Sequence, residues 1–169
     1  MKLTEMFLSQ LDAEGPRTER AIEHVPDGHD DWKPRDTSMA LGRLAILVAG
    51  MPSWFEMMIE RDHLDLNPPG GSNWNPPAMT TREERVQAVR DGVAKTRAAL
   101  QGTNDQHLMQ PWRLLVAGNV VSEDPRHVVL RDTFMHLAHH RGQLTVYLRM
   151  LGATVPAIYG PSADDNRFA

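Results

Sequence analysis

Apolar residues recur at helical spacing in four stretches of this chain. Leu3, Phe7, Leu11 and Ile22 mark the first, from about residue 3 to 25. Gly15-Pro16 lies inside it and predicts a kink or break, since proline has no backbone donor. The second is predicted to open at Thr37 or Ser38 and run to about residue 62, with Leu41, Leu44, Val48, Met51, Phe55 and Met58 on one face. Pro52 should bend it. Thr80 and Glu83 fit a capping box at the start of the third, whose buried stripe is Val86, Val89, Val93 and Leu100 and whose stop is Gly102. In the fourth, Asp124 is the expected N-cap and Pro125 the first helical residue, with Gly152 at the C-terminal cap. Leu130, Leu137, Leu144 and Leu151 recur there every seven residues and form a seam against neighbouring helices.

Pro, Gly and Asp mark the connections. Residues 25–38 read as a loop whose Trp32 packs back on the helices, and residues 67–79 as an irregular segment. "WRLLVAGNVVSED" carries two short apolar runs around Ala-Gly-Asn, which predicts a hairpin near 112–123. "PAIYGPSADDNRFA" is an irregular tail, with Asp30-Asp31 and Asp164-Asp165 read as solvated turns. The predicted fold is all-α, a four-helix bundle with long irregular loops and that one short β-hairpin, in a single domain over 1–169.

Composition narrows the chemistry. The 169 residues are 41% hydrophobic and 24% charged, as in an ordinary globule. A net charge of −4 predicts no nucleic-acid partner. No stretch approaches the roughly 20 apolar residues of a membrane span, and the N-terminus lacks a signal peptide's apolar core, so a cytoplasmic protein is expected. There is no cysteine, which leaves imidazole and carboxylate as the strong metal donors.

His136 and His140, one turn apart in the fourth helix, offer half a transition-metal site. His139 lies about 60° or more around the helix from both, outside the chelate. A zinc protease helix would carry glutamate directly after its first histidine; Leu137 stands there, against that class. Arg141 is expected to pair with an acid or cap carbonyls, and Trp54, Trp74 and Trp112 to anchor loops to the core. The ten methionines read as adaptable core packing. No Ser–His–Asp arrangement has defensible spacing.

"HLAHHRGQLTVYLRMLG", residues 136–152, closely resembles the closing helix of the DinB-like (DinB/YfiT) superfamily. "DWKP" (31–34), "SMALGRLAILVAGMPSWF" (38–55) and "YGPSAD" (159–164) resemble further segments of it. The resemblance implies a bundle that holds a divalent ion, nickel or zinc, on three histidines. Two correspond to His136 and His140; the third falls at Leu47, which has no lone pair to donate. Of the possible substitutes on helix two, Met51 suits soft Cu(I). His63 would lie about 24 Å further along a continuous helix. A carboxylate such as Glu56 is a conceivable donor. The implied reading is a degenerate metal site in a small-ligand-binding or stress-associated module. The alternative is a metal-dependent thiol S-transferase or isomerase using an ion at His136 and His140. The resemblance also implies a homodimer, for which the apolar faces of the first two helices are candidates.

Overall fold

The structure is a computed structural model and describes residues 2–71 and 78–167; Trp74 lies outside them. Helix α1 spans Leu3–Glu23, α2 Leu41–Gly50, α3 Pro52–Glu60, α4 Arg82–Gly102, α5 Asp105–Leu108 and α6 Arg126–Met150. Phe7, Leu11 and Ile22 of α1, Leu44 and Val48 of α2, Phe55 of α3, Val89 of α4 and Leu130, Leu137, Leu144 and Leu148 of α6 meet in one apolar core.

The chain is mostly helical but not all-α. Strands β1 (His63–Asp65), β2 (Pro111–Val116) and β3 (Asn119–Pro125) form a sheet in that order. The hairpin is where the apolar runs predicted it. The parallel strand β1 was not predicted, because "HLD" is too short to show an alternating pattern. The hairpin turn places Ala117 at φ 51° and Gly118 at φ 77°, a left-handed pair that glycine tolerates and alanine resists. Asp65 compensates. Its carboxylate accepts the N–H groups of Ala117 at 3.0 Å, Gly118 at 2.7 Å and Asn67 at 2.9 Å. Desolvation pushes this carboxyl's pKa up, but the three donors outweigh it and the net direction is down. An Asp65→Ala variant is therefore expected to lose amide-exchange protection at Ala117 and Gly118. The wild type should lose the same protection only as acid titrates Asp65. Unchanged exchange in the variant contradicts the role.

Several boundaries differ from expectation. Pro16 does not break α1: it lies on the exposed face, where solvent can reach the carbonyl whose partner it removes. Gly15 is buried against α4, where a Cβ would meet Val93 Cγ2 at 3.0 Å. Helix α2 opens at Leu41 rather than at Thr37 or Ser38, because the carbonyls of Trp32 and Asp30 accept the N–H groups of Leu41 and Gly42. The second helical stretch is divided at Pro52 and ends at Glu60. The capping box falls one residue later than read, on Thr81 and Glu84. Residues 124 and 125 belong to β3, and Pro125 rather than Asp124 is the N-cap of α6. Gly152 ends α6 as expected, at φ 72°. Ala153 N–H bonds to Leu148 O and Gly152 N–H to Arg149 O, a Schellman closure.

The acidic turns are not simply solvated. Asp30 accepts from the buried guanidinium of Arg85 at 2.6 Å. Asp164 accepts the N–H of Val155 and pairs with Arg149, and Asp165 accepts the N–H of Ala157, so the tail is pinned although irregular. Met51, Met57, Met58 and Met79 are core residues, but Met109, Met135 and Met150 are exposed.

Candidate metal-pair site

Core packing sets the rotation of α6. With Leu130, Leu137 and Leu144 turned inward, His136 and His140 fall at the rim that faces α3. His136 is exposed and His140 partly buried. Their Nε2 atoms lie 2.8 Å apart, and His140 Nδ1 is 2.7 Å from Gln143 Oε1. An amide oxygen only accepts, so the network puts the proton of His140 on Nδ1 and leaves its Nε2 lone pair to accept from His136 Nε2–H. The Trp54 ring of α3 lies 6.0 Å from that of His136. His139 packs its ring edge-on to His140 at 5.1 Å and takes no part in the Nε2 contact.

Desolvation, followed by the like charges of His140 and His139, lowers the pKa of His136 below 6.5. The folded chain thus takes up its proton at lower pH than the unfolded chain. Stability carried by the neutral ring is present above pH 6.5 and lost as pH falls through the folded midpoint. NMR titration of the ring protons should place the His136 midpoint below 6.5; a value at or above that overturns the reading.

Two convergent nitrogens suit one ion at Zn–N distances of about 2.0–2.1 Å. A complete centre of the implied kind needs a third donor. Leu47 is half-buried on α2 and packs against the core. Met51 is fully buried in that core. His63 is not on a continuation of the helix but is the exposed first residue of strand β1. Glu56 lies on α3, where its backbone N–H bonds to Thr96 Oγ1. Among the described residues, no group of three or more His, Cys, Asp or Glu side chains is arranged to hold an ion. The donor set therefore fits a two-imidazole pair and does not fit a three-histidine centre.

Tyr147 donates to Met39 O at 3.2 Å. Its ring meets Trp32 edge-on at 5.5 Å, which is how that loop packs back on the helices. Trp112, on β2, is buried in the core as expected of an anchor.

Behind the pair, Arg141 turns inward and is 1% exposed. It contacts the Glu14 carboxylate and donates to Thr18 Oγ1 at 2.9 Å and Tyr159 OH at 2.5 Å. Tyr159 donates to Glu14 Oε2 at 3.0 Å, and Arg17 pairs with Glu14 Oε1 at 2.8 Å. The acid expected for Arg141 is therefore Glu14. It was not singled out in the sequence, although it falls in the buried series 7, 11, 14, 18 and 22 of α1. A lone acid on an apolar stripe was the available signal.

The fold has known counterparts. A DinB-like protein from Bacillus cereus ATCC 10987 superposes with a TM-score of 0.69 at 23% identity, over 92% of this chain and 97% of that one. The DinB-like protein YjoA of Bacillus subtilis gives 0.67 at 20% identity, over 88% and 94%. YfiT of Bacillus subtilis, described as a probable metal-dependent hydrolase with an unusual four-helix bundle topology, gives 0.61 at 14% identity over 89% of each chain. Those identities establish a shared fold. The uncharacterized protein YrdA of Bacillus subtilis (strain 168) is 46% identical over 41 residues, 24% of this chain and only a quarter (25%) of YrdA. No helix among the described residues is long and apolar enough to cross a membrane. The DinB family model matches residues 1–167, so the chain belongs to the DinB family.

Proposed function

We propose that this protein is a small-ligand-binding DinB-family bundle whose metal centre is reduced to His136 and His140. In this reading α2 and α3 act as one bent rod, which gives four rods around the core. The observation that carries it is the direct 2.8 Å contact between the two Nε2 atoms; the family resemblance assigns the third ligand's position to Leu47. One imidazole satisfies the other, so the pair is stable as a neutral hydrogen-bonded unit. Trp54, the two imidazoles and Gln143 would then form the polar and aromatic wall that meets a small ligand at the α3–α6 rim.

A second reading is a metal-assisted enzyme of the thiol-transferase or isomerase type, or a hydrolase as YfiT is described. Gln143 favours it, since an outer acceptor on Nδ1 is the usual way to orient a metal-ligating histidine. A bound cation would supply Lewis acidity there, while the protein orients His140 through Gln143.

Metal analysis of untagged protein separates the two. The first reading expects substoichiometric zinc and nickel in the wild type. It also expects a Leu47→His variant that binds zinc stoichiometrically and melts higher as free zinc rises, by about 2.7 kcal/mol at a hundredfold excess over Kd. A stoichiometric ion in the wild type would overturn it and support the enzyme.

A further inference from the structure

Away from the histidine pair, a cavity of about 560 Å³ opens where α3 and α4 end beside α5. Ile59, Ala98, Ala99 and Gly102 give it an apolar side, and Glu60, Thr103, Asn104 and His107 a polar one. No residue of α6 lines it, so it shares nothing with the His136–His140 pair.

Among its lining side chains Glu60 carries a negative charge and none is Lys or Arg. Neither α3 nor α4 carries a basic residue in its last turn. Among the described residues, no backbone N–H closes the end of α4, which leaves its final carbonyls without a backbone partner. Each helix end carries roughly half a negative charge. The Glu60 side chain makes no hydrogen bond or ion pair with any described residue. His107 Nε2 lies 2.8 Å from Ile59 O and so bears the proton, which leaves Nδ1 of the neutral ring with a lone pair. Neither Arg61 nor Lys95 lines the cavity. A concave space with an apolar flank, an exposed carboxylate and the unclosed end of α4 is complementary to a compact cation that has a hydrocarbon body.

We propose that this cavity is a second binding site, and that it takes small organic ammonium ions, with the ammonium against Glu60 and the α4 terminus and the hydrocarbon against Ile59, Ala98 and Ala99. The test is a titration of the ¹⁵N-labelled full chain at low salt with three probes that share one body: 2-phenylethylammonium, 2-phenylethanol and phenylacetate. The ammonium should give saturable shifts at the amides of Gly102, Thr103 and Asn104, and the alcohol and carboxylate should not. Glu60 is exposed, so Glu60→Gln should leave the spectrum folded and weaken binding about tenfold. Ala98→Lys, which supplies a tethered ammonium at the rim, should abolish binding. Equal affinity for the alcohol, unsaturable shifts, or binding unaffected by both variants would overturn the assignment.

Discussion

Replacing Arg141 with methionine is expected to destabilise the protein by about 3–5 kcal/mol, because it leaves the Glu14 carboxylate buried without its principal cation. Glu14 is 3% exposed and Arg141 1%, so water cannot substitute for either. Arg17 and Gln10 still reach Oε1 of Glu14, and Tyr159 still donates to Oε2. Those contacts keep the loss from being larger. The double variant Glu14→Leu/Arg141→Met removes both charges and should recover most of the lost stability, as buried ion pairs replaced by apolar residues commonly do. Urea denaturation of both variants measures the difference. A loss below about 1 kcal/mol in the single variant, or no recovery in the double, contradicts the account.

The same cluster sets an acid limit. Desolvation pushes the pKa of Glu14 up, but hydrogen bonding and charge from Arg141, with help from Tyr159 and Arg17, bring it below the ordinary 4.5 of a glutamate. A depressed carboxyl contributes stability that is complete above the unfolded value and lost as pH falls through the folded one. The urea midpoint should therefore hold down to about pH 4.5 and fall beneath it, and Glu14→Gln should flatten that fall. The decline carried by His136 starts below pH 6.5 and should persist in the Glu14→Gln variant.

Helices carried by long stripes were legible in the sequence, and so was the hairpin, whose apolar runs flank a turn signal. What stayed hidden depended on atoms brought together from far apart. Leu41 and Gly42 are capped by backbone carbonyls of residues 32 and 30, and no side-chain signal records such a cap. Strand β1 exists because β2 lies beside it, not because three residues have strand propensity. At the site, spacing alone brought His136 and His140 together, and the resemblance pointed to Leu47. The roles of Trp54 on His136 and of Glu14 and Tyr159 on Arg141 came only from the tertiary structure. Glu14 is the instructive miss, since its place in the apolar stripe of α1 was visible and its partner 127 residues away was not.

Gly92→Ala should be the other strongly destabilising change, despite the helix propensity that alanine adds. A Cβ on Gly92 would stand 2.8 Å from Ser53 N and 3.0 Å from Pro52 C and Cβ. Two of those atoms are backbone and cannot rotate away. Moving α3 outward would also break the repair at the proline. One turn further along α4, the buried Thr96 hydroxyl donates to Pro52 O at 2.7 Å and accepts Glu56 N–H at 3.2 Å, bonds that tie α3 to α4 where the helix is interrupted. Overpacking costs about 1–3 kcal/mol and stranded buried polar groups about 1–3 kcal/mol more, against about 1 kcal/mol gained from propensity. A net loss of about 1–5 kcal/mol follows. Because Trp54 rides on α3 against His136, the indole fluorescence should change in the folded variant as well. Gly142 provides the contrast on α6: nothing lies within 4 Å of a Cβ built there, so Gly142→Ala should stabilise the protein by about 0.5–1 kcal/mol. Thermal and urea unfolding of the two variants should move in opposite directions, and a shift of the same sign in both would mean that the α3–α4 crossing is not as close as described.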